Sequence, residues 1–283
     1  MKKRNLGLTI GATLGAAFIL KLYSENKKFK ILPELEKPDA DELNEKDSNY
    51  WQHDYIMANG INFHYVTQGD GPLLILLHGF PENWHSWREQ IPFLAEKYRV
   101  VAIDMRGYNL SDKPQNIEDY KVETLVEDLK ALIYALDAET ATIIAHDWGG
   151  AVAWSFAILY PEMIEKLVIM NAPHPLGYLN ALKTSRQLLN SWYMLFFQLP
   201  ILPEIFMSLN DYKFMANSLT KSSANPENAF SDEDISYFLS GIKRPGAVRA
   251  MINYYRALLR YMPKREIEPI EVPTLVIWGE KDF

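Results

Sequence analysis

Residues 140–154 read TATIIAHDWGGAVAW, and their order decides the fold. TATIIAH is short and almost wholly apolar, as a strand buried on both faces requires. GGAVAWSFAILY (149–160) is apolar nearly all round and stops at Pro161, which predicts a buried helix packed on a sheet. Asp147 stands at the turn between them. Three runs of the same kind, PLLILLHG (72–79), RVVAID (99–104) and KLVIMN (166–171), predict companion strands. KVETLVEDLKALIYALD places apolar residues at 122, 125, 126, 129, 132, 133 and 136, the spacing of a helix face. Strands alternating with helices predict an α/β protein with a mostly parallel sheet.

Upstream, YIMANGINFHYVTQGDGP carries β-rich runs on both sides of Asn59-Gly60, a dipeptide that favours a tight hairpin. Downstream, the alternation breaks between about Pro175 and Pro269. SWYMLFFQLPILPEIFMSLNDYKFM and AVRAMINYYRALLRYM are aromatic and helical in pattern, and the strand pattern resumes in PTLVIWGEKDF. A helical insertion between two strands of one sheet predicts a lid, or cap, over the strand ends, where α/β sheets bind ligands. The expected organisation is an anchor (1–30), a linker (31–50), a first part of the core (51–174), the lid (175–269) and the start of a second part of the core (270–283), which reads as a buried strand.

The chain has 283 residues and a net charge of −7. No basic footprint exists for nucleic acid, and none is expected as a partner. With no cysteine there is no disulfide, thiolate nucleophile or cysteine zinc site. The six histidines (53, 64, 78, 85, 146, 174) lack the H-E-x-x-H spacing, so neither metal nor cofactor is expected. The N-terminus, MKKRNLGLTIGATLGAAFILKLYSENKKFK, has basic residues on both sides of an uncharged run from Asn5 to Leu20. If Lys21 snorkels, residues 6–23 make a helix of about 27 Å, enough for a thin bilayer such as that of the endoplasmic reticulum. The rival reading, a cleaved signal peptide, lacks a small-x-small site after the apolar run. A single-pass membrane anchor is expected there, with its orientation open. Gly7, Gly11 and Gly15 at four-residue spacing would let two such helices pack as a homodimer. The linker ILPELEKPDADELNEKDSNY is acidic and poor in apolar residues.

The turn at Asp147 resembles the strand–turn–helix pattern G-x-S-x-G, which carries a nucleophilic serine at its apex. Here it reads Ala145-His146-Asp147-Trp148-Gly149, so a carboxylate replaces the hydroxyl. A serine attacking a strained ether or an alkyl halide would end as a stable ether, whereas a carboxylate ends as an ester that water can cleave. A carboxylate is also ionised near neutral pH and needs no base for the first step. The plain alternative is that Asp147 only caps the next helix. His78-Gly79-Phe80-Pro81 ends the first buried strand, where the N–H of Phe80 would pair with that of Trp148 as an oxyanion hole. Its plain alternative is a strand-ending turn with a cis bond before Pro81. The two motifs together are far more specific than either.

HGFPENWHSWR, DMRGYNLSDKP, HDWGG with its downstream YPE, and WGEKD closely resemble the epoxide hydrolase branch of the α/β-hydrolase family over roughly residues 50–283. An N-terminal anchor joined directly to the catalytic domain is similar to its membrane-anchored animal members. The resemblance implies an α/β-hydrolase fold and two lid tyrosines that protonate the epoxide oxygen, here Tyr193 and Tyr255. Tyr254 is the rival for the second, and either tyrosine could instead be a core aromatic. It further implies Asp282 as the acid of the charge relay, otherwise a solvated turn residue. Asn171 occupies the other place where relatives carry that acid. The family's base is a histidine beyond Asp282, and no histidine follows His174 in this sequence. His146 belongs to the implied elbow motif and is not the base. The expectation is a C-terminally truncated epoxide hydrolase, converting lipophilic epoxides to vicinal diols through an Asp147 ester, with the second step in doubt. A haloalkane dehalogenase is the nearest alternative, against which Phe80 speaks because a halide-holding asparagine often stands at that position. A non-catalytic membrane-anchored lipid-binding protein is the alternative outside enzymes. A serine esterase is disfavoured because no serine stands at the elbow.

Overall fold

The structure, a computed structural model, describes residues 37–46, 51–181, 191–221, 225, 229–262 and 269–282. The expected anchor at residues 1–30 lies outside the described residues. Among the described residues, no helix is long and apolar enough to cross a membrane.

The described chain begins with a short helix, α1 (Ala40–Lys46). The linker reading misses this helix, whose first turn is capped by the Asp39 carboxylate accepting the Glu42 N–H at 2.8 Å. The hairpin β1 (Gln52–Ala58) and β2 (Ile61–Gln68) follows. Asn59 and Gly60 form its turn with φ of 45° and 73°, the two left-handed residues that such a two-residue turn requires. Next come β3 (Leu73–Leu77), a 3₁₀ turn at Trp84–Trp87, α2 (Gln90–Leu94), β4 (Arg99–Ile103), α3 (Val122–Ala135), β5 (Ala141–His146), α4 (Asp147–Leu159) and β6 (Ile164–Met170). Five described helices, α5 (Pro175–Ala181), α6 (Trp192–Phe196), α7 (Leu202–Lys221), α8 (Asp232–Ile242) and α9 (Ala247–Arg260), separate β6 from β7 (Thr274–Ile277). Non-helical backbone at Leu209–Tyr212 breaks α7.

The strands form one sheet in the order β1-β2-β4-β3-β5-β6-β7. β1 with β2 and β2 with β4 are antiparallel, and every later pairing is parallel. All five residues of β3 are buried. The apolar stripe of α3 packs inward through Leu125, Val126, Leu129, Leu132 and Ile133. Asp128 shares that buried face, its charge met by the Arg106 guanidinium at 2.6 and 2.7 Å. β7 departs from the expected buried strand. It pairs with β6 at the sheet edge, and all four of its residues are exposed.

The strand order reverses at β3, which lies between β4 and β5. Such a switch opens a crevice at the carboxyl ends of the strands. The register pairs Leu77 with Ala145, so the loop after β3 and the turn after β5 leave the sheet level with each other. This alignment sets HGFP beside the HDW turn.

Candidate active site

Asp147 sits at the apex between β5 and α4 with φ of 46°. This left-handed conformation is unfavourable for a residue with a side chain. The turn is held by close approach. A Cβ on Gly79 would meet the Asp147 Cβ at 2.4 Å, and one on Gly149 would meet the Leu77 carbonyl oxygen at 2.5 Å. Both positions therefore need glycine. The Phe80 N–H donates to Asp147 Oδ1 at 2.8 Å, and the Trp148 N–H also acts on this carboxylate. The two N–H groups read from the sequence as an oxyanion hole thus converge on the carboxylate itself. Burial pushes the Asp147 carboxyl above its ordinary range, while the His146 charge and these two N–H groups pull it back.

The Phe80–Pro81 bond is cis. Behind it His78 is fully buried, donating from Nδ1 to the Gly79 carbonyl at 2.9 Å and accepting the Met105 N–H at Nε2, 3.1 Å away. Burial lowers its pKa, and it braces the loop as a neutral imidazole.

Tyr255 lies over this turn, its ring 5.4 Å from Phe80 and 5.1 Å from Trp148. Tyr193, from α6, stacks edge-on to Tyr255 at 5.7 Å. Burial pushes the Tyr193 hydroxyl up to about 12, with Tyr178 and Asp147 adding to the rise. Burial, then Asp147 and Tyr193, raises Tyr255 well above its ordinary value. Both phenols are therefore protonated donors at neutral pH. Tyr254 points elsewhere, fully buried and donating to the Arg106 carbonyl at 2.7 Å. The Gln198 side chain ties α6 to α9 by donating to the Tyr255 carbonyl at 3.1 Å.

Asp147 opens into a pocket of about 360 Å³ lined also by Phe80, Glu82, His146, Asn171 and Asp282. Asn171 donates through its side-chain amide to Asp282, so the two places considered for the relay acid are in contact. Sequence reasoning missed the pairing of Glu82 with His146, 3.3 Å apart in this pocket. Burial opposes charge on His146, but the hydrogen bond and charge of Glu82, with Asp147 and Asp282, outweigh it and lift the imidazole to about 9. His146 is thus a cation beside the carboxylate and cannot accept a proton as a base at neutral pH. The partners stand 64 residues apart, and no local pattern announces the contact. A buried chain of His53, His64 and Asp104 was also missed. His53 Nδ1 lies 2.9 Å from His64 Nε2, and His64 Nδ1 lies 2.7 Å from Asp104 Oδ2. It sits at the β1, β2 and β4 strands and anchors the 104–111 loop through Asn109 and Ser111.

Among the described residues, no group of three or more histidine or carboxylate side chains could hold a metal ion. A carboxylate at a strained strand–helix turn, two backbone N–H donors and two protonated phenols make up a site for nucleophilic displacement.

Comparison with known proteins agrees with this class. The family model of the alpha/beta hydrolase fold matches residues 72–283. The chain is 43% identical to epoxide hydrolase 3 of Xenopus tropicalis over 83% of its own length and 66% of the relative's. It is also 43% identical to an AB hydrolase superfamily protein of Bacillus subtilis, over 81% of this chain and 80% of that one. A crystal structure of an epoxide hydrolase mutant from Bacillus megaterium superposes with a TM-score of 0.72 at 34% identity, covering 80% of this chain and 82% of that chain. The chain belongs to the α/β-hydrolase fold family, in its epoxide hydrolase branch. It spans 59% to 66% of the length of four of the nematode and vertebrate epoxide hydrolases it matches.

Proposed function

We propose that the site opens lipophilic epoxides, with Asp147 as nucleophile. A carboxylate oxygen of Asp147 attacks an epoxide carbon and the carbon–oxygen bond of the ring breaks. The departing oxygen takes a proton from Tyr255 or Tyr193, leaving a hydroxyalkyl ester on Asp147. An alkoxide is a far stronger base than a phenolate, so this proton transfer lowers the barrier. Attack of water on the ester carbonyl, with the N–H groups of Phe80 and Trp148 holding the oxyanion, would give a vicinal diol once a base takes the water's proton. Asp282 is read as the acid of the charge relay. The pocket histidine, His146, is held charged by Glu82, so the described pocket supplies no neutral imidazole for this second step.

The observation that carries the proposal is the meeting of Asp147 with the N–H of Phe80 beneath the paired tyrosines. The helices of 175–260 are read as a cap over this site. A structure of the Bacillus megaterium enzyme in complex with a naphthyloxy-propane-1,2-diol product suggests an aryl glycidyl ether as a probe. Intact and peptide mass spectrometry after incubation with such an epoxide, beside Asp147→Asn, tests the reading. The expected result is a persistent adduct on Asp147 that the variant lacks. A folded chain giving neither adduct nor diol would sink it and favour lipid binding without catalysis. Chloride release from alkyl chlorides without diol formation would favour a dehalogenase.

The uncharged run of residues 5–20 between basic flanks supports an N-terminal membrane anchor, with the endoplasmic reticulum as its location and Gly7, Gly11 and Gly15 as a contact between two copies. Retention of the full chain in the membrane pellet at alkaline pH is the expected outcome, and its release would remove this part of the proposal.

A further inference from the structure

The lid has two faces of opposite use. On the inner one, Tyr193 and Phe197 turn toward Tyr255. On the outer one, four aromatic rings follow one another, with Trp192, Phe206 and Phe214 exposed and Phe196 between them partly buried against the core. Trp192 meets Phe196 at 6.1 Å, Phe196 meets Phe206 at 5.7 Å, and Phe206 meets Phe214 at 4.8 Å. Trp192 is 60% exposed, and Leu195 beside it is 69% exposed. Packing such a row against water is costly, and contiguous apolar surface of this kind marks a site of contact. The stretch from 192 to 203 carries no charged side chain. Glu204, the first charge after it, is turned inward to Arg256 at 2.7 Å.

We infer that this outer face of the lid docks on the surface of a neutral, zwitterionic phospholipid bilayer. Aromatic side chains with adjacent aliphatic ones favour the membrane interface. Residues 192–203 carry no charge, the exposed charges between Phe206 and Phe214, Asp211 and Lys213, are of opposite sign, and the net charge of −7 argues against an anionic lipid surface. The position where the chain reaches the fold supports the same partner. Lys37 pairs with Asp112, and the neighbouring Lys113 lies against Gly246 at the start of α9. The far half of α9 supports the ribbon, through Arg256 donating to the carbonyls of Phe197 and Leu199 at 2.9 and 2.7 Å. Residues 24–36 can reach at most about 45 Å, and α9 is only about 21 Å long. A chain held by the anchor proposed above, residues 6–23, can therefore place the ribbon on the same bilayer. The docking needs no catalysis. Its consequence for access rests on the epoxide reading: an apolar substrate would pass from lipid across α6, whose other side holds Tyr193.

The absence of cysteine makes the test clean. In the full chain, Leu195→Cys is labelled with a polarity-sensitive fluorophore, with Leu199→Cys as a second ribbon site and Glu139→Cys as the control. Glu139 precedes β5, at the opposite end of that strand from Asp147, and is exposed. The probe is a phosphatidylcholine vesicle with and without brominated acyl chains. A blue shift at both ribbon sites and loss of emission in brominated lipid, with neither at Glu139→Cys, is expected. Ribbon labels as solvent-exposed and unquenched as the control would overturn the proposal, whatever the activity of the chain. A blue shift that grows with protein concentration, without vesicles and without quenching by lipid, would also overturn it and assign the ribbon to a second copy.

Discussion

The apex at Asp147 and the helices α6–α9, read as its lid, hold their side chains by different means. At the apex, backbone does the holding: a left-handed residue, two N–H groups, and glycines where a Cβ would collide with its neighbours. In the lid, side chains do it. Gln198 reaches the Tyr255 carbonyl, Arg256 joins α9 to the end of α6, and Asp234 takes Arg88 at 2.7 Å and His85 at 2.9 Å, joining α8 to the 3₁₀ turn. The difference teaches that backbone can fix where charge is placed while side-chain ties set the surface above it. Backbone contacts tolerate little substitution, whereas side-chain ties can be changed one at a time.

The largest effect should come from the apex. Asp147→Asn is expected to lower ring opening by roughly a thousandfold or more, since the other carboxylates of the pocket, Glu82 and Asp282, are held by His146 and Asn171 and do not stand at the apex. Stopped-flow turnover with circular dichroism as a folding control measures it. In the lid, Tyr255→Phe should slow adduct formation by about a hundredfold, the scale of general acid catalysis. Tyr254→Phe should leave that rate unchanged and cost about 1 kcal/mol of stability through its lost hydrogen bond. Equal effects of the two on adduct formation would erase the distinction drawn between them.

Gly79→Ala sharpens the comparison through stability. Its methyl group would lie 2.4 Å from the Asp147 Cβ, so a loss of roughly 1–3 kcal/mol is expected, read as a lowered Tm together with slower adduct formation. A smaller effect concerns Glu82 and His146. The folded pKa of His146, about 9, stands above its ordinary value of about 6.5. Its stabilising contribution is therefore complete below that ordinary value and is lost as pH rises through about 9. Glu82→Gln should remove this alkaline loss, so that Tm measured between neutral pH and pH above 9 falls less than in the wild type. An unchanged slope would separate the pair from stability.

Much of the core was legible because its signals are local. The Asn59-Gly60 turn, the apolar strands and the stripe of α3 are patterns over a few residues, and the structure contains each. The elbow was legible for the same reason, since HDWGG carries both the carboxylate and the glycine its turn demands. The helix inside the linker was missed because seven mostly polar residues bury too little to show a periodicity. Glu82 with His146, and His53 with His64 and Asp104, were missed because each pairing is made across the sheet.

Asp147, the glycines around it, the strand pattern and the aromatic character of the lid follow from the sequence alone, because steric and hydrophobic demands act on neighbouring residues. The choice between Tyr254 and Tyr255 belongs to tertiary structure. Adjacent residues on a helix point about 100° apart, so only the packing of α9 turns one phenol toward Asp147 and the other toward the Arg106 carbonyl. Tertiary structure also made His146 a cation, because its charge depends on a carboxylate that the fold brings from another loop into the same buried pocket.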